Sequence, residues 1–211
     1  MKLIRRPFRY TYSNAVLFLI GINILVYIIM MVTRSLFLFS ILPMRPLDII
    51  YRGRIWQFFT YMFVHSPYNI RHVLFNMFAL FIFGSRVERE MGSREFLLYY
   101  FITGTLAGIF SFAIYVFTGE LGVSLMGASG AVFAVQLAYA AYFPRSIIYI
   151  WGIIPIRAPI LVLGFAALEV IFLVTGREGN VAHMTHLAGF AFGWLYFLLR
   201  FRIDPLKAMR G

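Results

Sequence analysis

The sequence contains no cysteine and only 8 acidic residues among 211. Without cysteine there is no disulfide, no thiolate metal ligand and no cysteine nucleophile. Charged residues make up 13% of the chain, about half the ~25% of an ordinary soluble domain. The chain is 62% apolar, with 24 Phe and 13 Tyr. A soluble monomer of this size could not hide that much apolar surface from water. A soluble globular enzyme and a disordered chain are therefore excluded, which leaves an all-α, multi-span membrane protein. The formal net charge of +11 would suggest nucleic acid in a soluble protein. Here the 19 Lys and Arg are scattered between apolar stretches, so membrane topology explains them and no nucleic-acid partner is expected.

Six apolar runs are present, and spans are expected at about 15–32, 70–87, 96–117, 127–143, 159–175 and 184–201. No repeat, low-complexity linker or second domain interrupts 1–211, so one domain is expected. The first run follows Lys2, Arg5, Arg6 and Arg9. It is longer than the ~7–15 residues of a signal-peptide core and lacks a small-residue cleavage site, so it reads as a retained helix. Residues 34–71 hold three prolines, five arginines and the aromatic cluster Trp56, Phe58, Phe59, Tyr61 and Phe63. That stretch is too apolar for an aqueous loop and too broken for a span. It reads as an interfacial segment. Six spans put both termini on one side. With the N-terminus inside, 13 of the 19 basic residues are inside and six outside. The expectation is a multi-pass cell-membrane protein with both termini cytoplasmic.

Polar residues inside apolar spans are costly and point to function. His65, His72, His183, His186, Asn76, Ser129, Gln136 and Glu169 qualify. His72 lies at the outer end of the second span, with Asn76 one turn deeper on the same face. Ser129 opens the fourth span and His186 the sixth, both from the outer side. Three helices distant in sequence thus bring Ser, His, His and Asn to similar depth. Ser129 sits between small residues in Gly127-Ala128-Ser129-Gly130, which leaves it well exposed. The fourth span has only about 15 residues after Ser129, as it would if its helix began below the membrane surface. Such a start leaves backbone N–H donors free near the serine. Gly130, Ala134, Ala138 and Ala141 form a small-residue face. His186, Gly189 and Gly193 share a face of the sixth span, with a GxxxG pair suited to close helix approach. Packing these two faces together delivers His186 to Ser129 as a nucleophile–base pair. A metal site at His183 and His186 is not expected. Zinc takes three or four protein ligands, and no cysteine and no carboxylate at helical ligand spacing accompany them. No cofactor is expected.

These residues carry a family resemblance. The chain resembles the rhomboid intramembrane serine proteases from Trp56 to Gly193 and in its first span. The matching pieces are His72-Val73-Leu74-Phe75-Asn76, Gly84-xxx-Glu88-xxx-Gly92, Gly127-Ala128-Ser129-Gly130 and Ala182-His183-Met184-Thr185-His186-Leu187-Ala188-Gly189. The resemblance implies Ser129 as nucleophile and His186 as general base. It implies oxyanion stabilisation by His72, Asn76 and the backbone at Ser129. Residues 34–71 would form a membrane-embedded first loop, and the substrates would be transmembrane proteins within the lipid bilayer. Three features depart from the family. Trp56-Gln57 stands where Trp-Arg is usual, which should weaken a structural contact of the loop. The spacing from His65 to His72 is about two residues longer than usual. Phe133 replaces a typical Tyr four residues after the serine, and its ring could still support His186.

No carboxylate orienter is evident, so a dyad held by packing is expected. Glu169, the only carboxylate within a span, could be a third member, but reads better as a protonated or hydrogen-bonded structural group. Two rival functions make different demands on the sequence. A catalytically inactive rhomboid-like recognition module would generally lack the Ser or His that this chain keeps. A transporter would show inverted repeats or charged residues along a path through several spans, and neither is found. The sequence carries no sign of oligomeric state.

Overall fold

A computed structural model describes residues 8–33, 36–150, 152–176 and 180–210. The first long helix, α1, is Ala15–Thr33. Three short helices follow, α2 (Leu36–Ile41), α3 (Pro46–Arg52) and α4 (Gln57–Thr60), then a 3-10 turn at Tyr61–Phe63. Helix α5 (Ile70–Ala79) passes through a π-helical turn at Leu80–Gly84 into α6 (Ser85–Met91), and α7 covers Ser93–Thr118. Helix α8 (Ser129–Tyr142) leads to an antiparallel hairpin of β1 (Ile147–Ile150) and β2 (Ile154–Arg157). Helices α9 (Ala158–Thr175), α10 (Asn180–Tyr196) and α11 (Pro205–Ala208) complete the chain.

Four helical segments are long and apolar enough to cross a membrane: Ala15–Thr33, Ile70–Met91, Ser93–Thr118 and Ala158–Thr175. The two other expected spans are α8, whose 14 residues fall below the ~20 needed to cross a bilayer unaided, and α10, whose 17 residues run on into a π-helical turn at Phe197–Phe201. At about 1.5 Å per residue α8 is roughly 21 Å long, shorter than a ~30 Å hydrocarbon core. Exposed apolar side chains lie on the outward faces, among them Leu17, Phe18 and Leu25 on α1, Leu74, Phe75 and Phe78 on α5, and Ile160, Ile171 and Val174 on α9. Polar groups turn inward. Asn23, Gln57, Thr103 and Ser111 are fully buried.

Helix α8 is the centre of the fold. All its residues are buried except Ser129, Phe133 and Tyr142, which are half-buried. Its short side chains allow this burial, because helices in lipid associate by close packing. A Cβ added at Gly189 of α10 would overlap the backbone carbonyl of Gly130. One at Gly193 would lie 2.6 Å from the Tyr99 hydroxyl and 3.1 Å from Ala134 Cβ. That Tyr99 hydroxyl donates to the Ala134 carbonyl at 2.6 Å, and Ser111 of α7 bonds Thr185 of α10 at 2.6 Å. Helices α7, α8 and α10 are thus locked along one seam.

The glycine–glutamate–glycine pattern at 84–92 now has a physical reason. Buried Glu88 accepts from the backbone N–H groups of Ala15 (2.7 Å) and Val16 (3.0 Å) and from the Ser93 hydroxyl (2.5 Å). It therefore caps α1 from another helix, supplying acceptors that the first turn of α1 lacks. Gly92 permits close approach, since a Cβ there would lie 3.2 Å from the Thr11 carbonyl oxygen.

The 34–71 stretch is more deeply packed than an interfacial segment requires. Met44, Gln57, Tyr61, Met62, Val64 and His65 are fully buried. The expected weakening at Gln57 does not hold. Its amide accepts from Arg45 N–H at 3.0 Å and donates to the Ile41 carbonyl at 3.3 Å, beside Trp56 Nε1, which donates to the same carbonyl at 3.0 Å. A neutral amide with both a donor and an acceptor meets the loop backbone's needs.

Candidate active site

The site begins at the turn before α8. Gly127 has φ +121°, a conformation that side chains disfavour. Space demands glycine there as well. A Cβ would lie 2.8 Å from the His72 ring and 3.8 Å from Ser129 Oγ. The Gly127 N–H donates to the Tyr61 carbonyl at 3.0 Å, which ties the turn to the first loop. Ser129 follows as the first residue of α8, behind Ala128, which offers no side-chain cap. First-turn N–H groups of such a helix lack intrahelical partners and point toward the serine side.

The seam sets where His186 falls. Gly130 lies against Thr185 and Gly189 of α10, so the histidine on that same turn comes to the serine end of α8. Its ring stacks flat on Phe133, at 4.4 Å between centroids and 6° between planes. Phe190 braces Phe133 edge-on at 5.1 Å. The ring support expected of Phe133 is therefore met by packing alone, without a hydroxyl.

Ser129, His186, His72, Asn76, Phe133 and Gln136 line one cavity of about 850 Å³. It lies between α5 and α9, and Ile148 and Ile150 of the hairpin form part of its wall. Ser129 and His186 share this cavity without a direct hydrogen bond among the described residues. Enclosure leaves Ser129 half-buried rather than well exposed. Asn76 is buried and donates one amide hydrogen to the His72 carbonyl at 2.8 Å, leaving the other for a ligand. His65, in the loop, is fully buried and meets His72 edge-on at 5.2 Å. Burial, with His72 second, pushes the His65 imidazole down to about 3, so it is neutral at physiological pH.

Glu169 is a hydrogen-bonded group, as one reading of it expects, and its carboxylate also faces His186, where no orienter was evident. One of its oxygens lies 2.5 Å from His183 Nδ1 and the other 3.0 Å from His186 Nδ1. Sequence spacing leaves this open, because the three residues come from two helices, α9 and α10, whose relative rotation it does not set. The hairpin was missed. Its signal was the β-branched run Ile147-Ile148-Tyr149-Ile150 followed by Gly152 and Ile153-Ile154. Glu169, His183 and His186 are the one group among the described residues that could hold a metal ion. Their spacing suits hydrogen bonding better. Ligands about 2.0–2.2 Å from zinc stand roughly 3 Å or more apart, and 2.5 Å between Glu169 and His183 is a hydrogen-bond length.

The molecule is thus a helical membrane protein in which Ser129, His72, Asn76 and His186, from three helices, border one cavity. Residues 52–203 match the Rhomboid domain, and the chain belongs to the rhomboid family. It is similar to presenilin-associated rhomboid-like protein A, mitochondrial, of Danio rerio (32% identity, 62% of this chain, 34% of that one). It is similar to RHOMBOID-like protein 1 of Arabidopsis thaliana (31% identity, 72% and 37%). It is also similar to the rhomboid protease GlpG of Haemophilus influenzae (29% identity, 70% and 73%). The chain thus spans between a third and a half of the length of the animal and plant relatives, and most of the bacterial one. It is a multi-pass membrane protein, and its family includes proteases.

Proposed function

We propose that the chain is an intramembrane serine endopeptidase, a single six-span domain in the cell membrane with both termini cytoplasmic and the site open to the outer face. Ser129 Oγ attacks the scissile carbonyl while its proton passes to His186. The oxyanion is met by His72, Asn76 and the backbone N–H at Ser129. Collapse expels the amine, which takes the proton from His186 and leaves an ester on Ser129. Water, deprotonated by His186, then releases the acid and restores the serine.

The observation that carries this reading is the shared cavity, where one serine and two histidines from three helices meet between mainly apolar walls. The apolar walls of α5 and α9 suit a transmembrane segment entering sideways from lipid. The scissile backbone must be free of its own helix hydrogen bonds. Substrates with small or helix-breaking residues near the outer face should therefore be favoured. Cleavage of a tagged single-span substrate in proteoliposomes tests the proposal. Wild type should cut it and Ser129→Ala should not. Cutting by the alanine variant would overturn the assignment. Intact binding without cleavage by wild type would favour a recognition module.

A further inference from the structure

We infer that Glu169 is a positioning residue for His186, holding its imidazole in the tautomer that can accept the serine proton. This rests on the proposed protease reading and deepens it. The two Glu169 oxygens face two different histidines, His183 at 2.5 Å and His186 at 3.0 Å, each through Nδ1. All three side chains are largely buried, at 12% exposure for Glu169, 7% for His183 and 19% for His186. An ionised carboxylate accepts and cannot donate. A bare Nδ1 lone pair facing that negative charge would be repelled, so both rings carry their proton on Nδ1, His183 in a hydrogen bond and His186 in a close charge contact. The His186 proton on Nδ1 leaves Nε2 as an acceptor, which is what a base for Ser129 requires.

The rest of the ring's environment agrees. His186 Nδ1 is buried and has no well-aligned hydrogen-bond partner, its approach to Glu169 being oblique. The exposed part of the ring therefore lies elsewhere, on the side that borders the cavity with Ser129. Phe133 fixes the plane of the ring and Glu169 one edge. The two constraints together leave little rotational freedom. Glu169 takes no proton in the cycle. It stays ionised and stabilises the imidazolium that forms when Ser129 gives up its proton. His183 gives the second carboxylate oxygen a donor, so that an acidic group within an apolar helix is not left bare. Among the described residues, the other titratable group facing His186 is His72, across the cavity on α5.

The test uses purified full-length protein in proteoliposomes, with kcat, KM and the pH profile measured for wild type, Glu169→Gln, Glu169→Asp and His183→Gln. The oblique contact argues for an effect well short of the ~10,000-fold lost when a buried triad carboxylate is neutralised. Glu169→Gln should lower kcat by about 10- to 100-fold with KM little changed, and should move the acid limb of the profile to lower pH. Glu169→Asp should recover part of the rate. His183→Gln should keep the position of the limb. A Glu169→Gln enzyme with unchanged kcat and an unmoved limb would overturn the inference, provided wild type still cleaves and Ser129 still reacts with a fluorophosphonate. The same result follows if activity falls only in step with the melting temperature while the limb stays put. Inhibition of wild type, but not Glu169→Gln, by micromolar zinc alone would reassign the three groups to a metal and also overturn it. A wild type that neither cleaves nor labels removes the protease reading first, and this inference with it.

Discussion

Two sides of α8 are built in opposite ways. Toward α10 and α7 it meets glycine and alanine backbone to backbone, with no space for one added methyl at Gly189. Toward α5 and α9 it opens onto a cavity of about 850 Å³ walled mainly by large apolar side chains. The closed side fixes which turn of α10 faces Ser129, and thus where His186 stands. The open side has the room a substrate segment needs. Precision and access are separated by giving each its own face of one helix.

The largest effect should come from closing in on the seam. The atom that a Cβ at Gly189 meets is backbone and cannot swing aside. Gly189→Ala should therefore cost about 3 kcal/mol or more of stability, at the upper end of overpacking penalties, and should abolish cleavage. Thermal unfolding in detergent checks the first effect. A variant with the wild-type melting temperature and full activity would break the comparison. Next comes the open side's polar edge. His72→Ala should lower kcat by ~100- to 1,000-fold, the usual loss of one oxyanion donor, with the fold intact. A change confined to KM would instead make His72 a substrate-binding group.

A smaller effect should separate the first loop from the cavity. His65 is held neutral inside, while in the unfolded chain it protonates near ~6.5. The unfolded state thus binds the extra proton, and stability falls as pH drops from about 6.5 toward about 3. By pH 4.5 the penalty is about 2–3 kcal/mol. A His65→Gln variant should lack this part of the slope when melting is followed from pH 7 to 4.5. Parallel slopes would show that His65 titrates normally. The smallest stability effect belongs to the open side's rim. Phe78 on α5 is exposed and borders the cavity. Phe78→Ala should change stability by less than about 0.5 kcal/mol, as exposed positions do, while altering cleavage rates several-fold between substrates. A loss of stability like that at Gly189 would mean that α5 is part of the locked core.

Much of this was legible in the sequence because lipid makes polar residues conspicuous. The expected boundary 15–32 agrees closely with α1, and 159–175 with α9. The pairing of the Gly130 face with Gly189 and Gly193 followed from small residues at helical spacing, since nothing larger would let the backbones meet. Ser129, His72, Asn76 and His186 could be grouped by depth alone. Glu169 could not. Depth suggested its neighbours, but only the rotation of α9 against α10 decides whether a carboxylate faces a histidine or a packed wall. Gln57 shows a different limit. A change of residue type was read as a lost contact, whereas a neutral amide fills the same backbone needs by other bonds. The π-helical turn at Leu80–Gly84 had no proline to announce it.

The central claim is that Ser129 is activated by His186 in a cavity within the bundle. The most direct measurement is labelling of the membrane-reconstituted protein with a fluorophosphonate, read by mass on the Ser129 peptide. The account predicts one adduct, on Ser129, in wild type, with none in Ser129→Ala and little in His186→Ala. An adduct on another residue, or labelling of Ser129 that survives the loss of His186 undiminished, would contradict it.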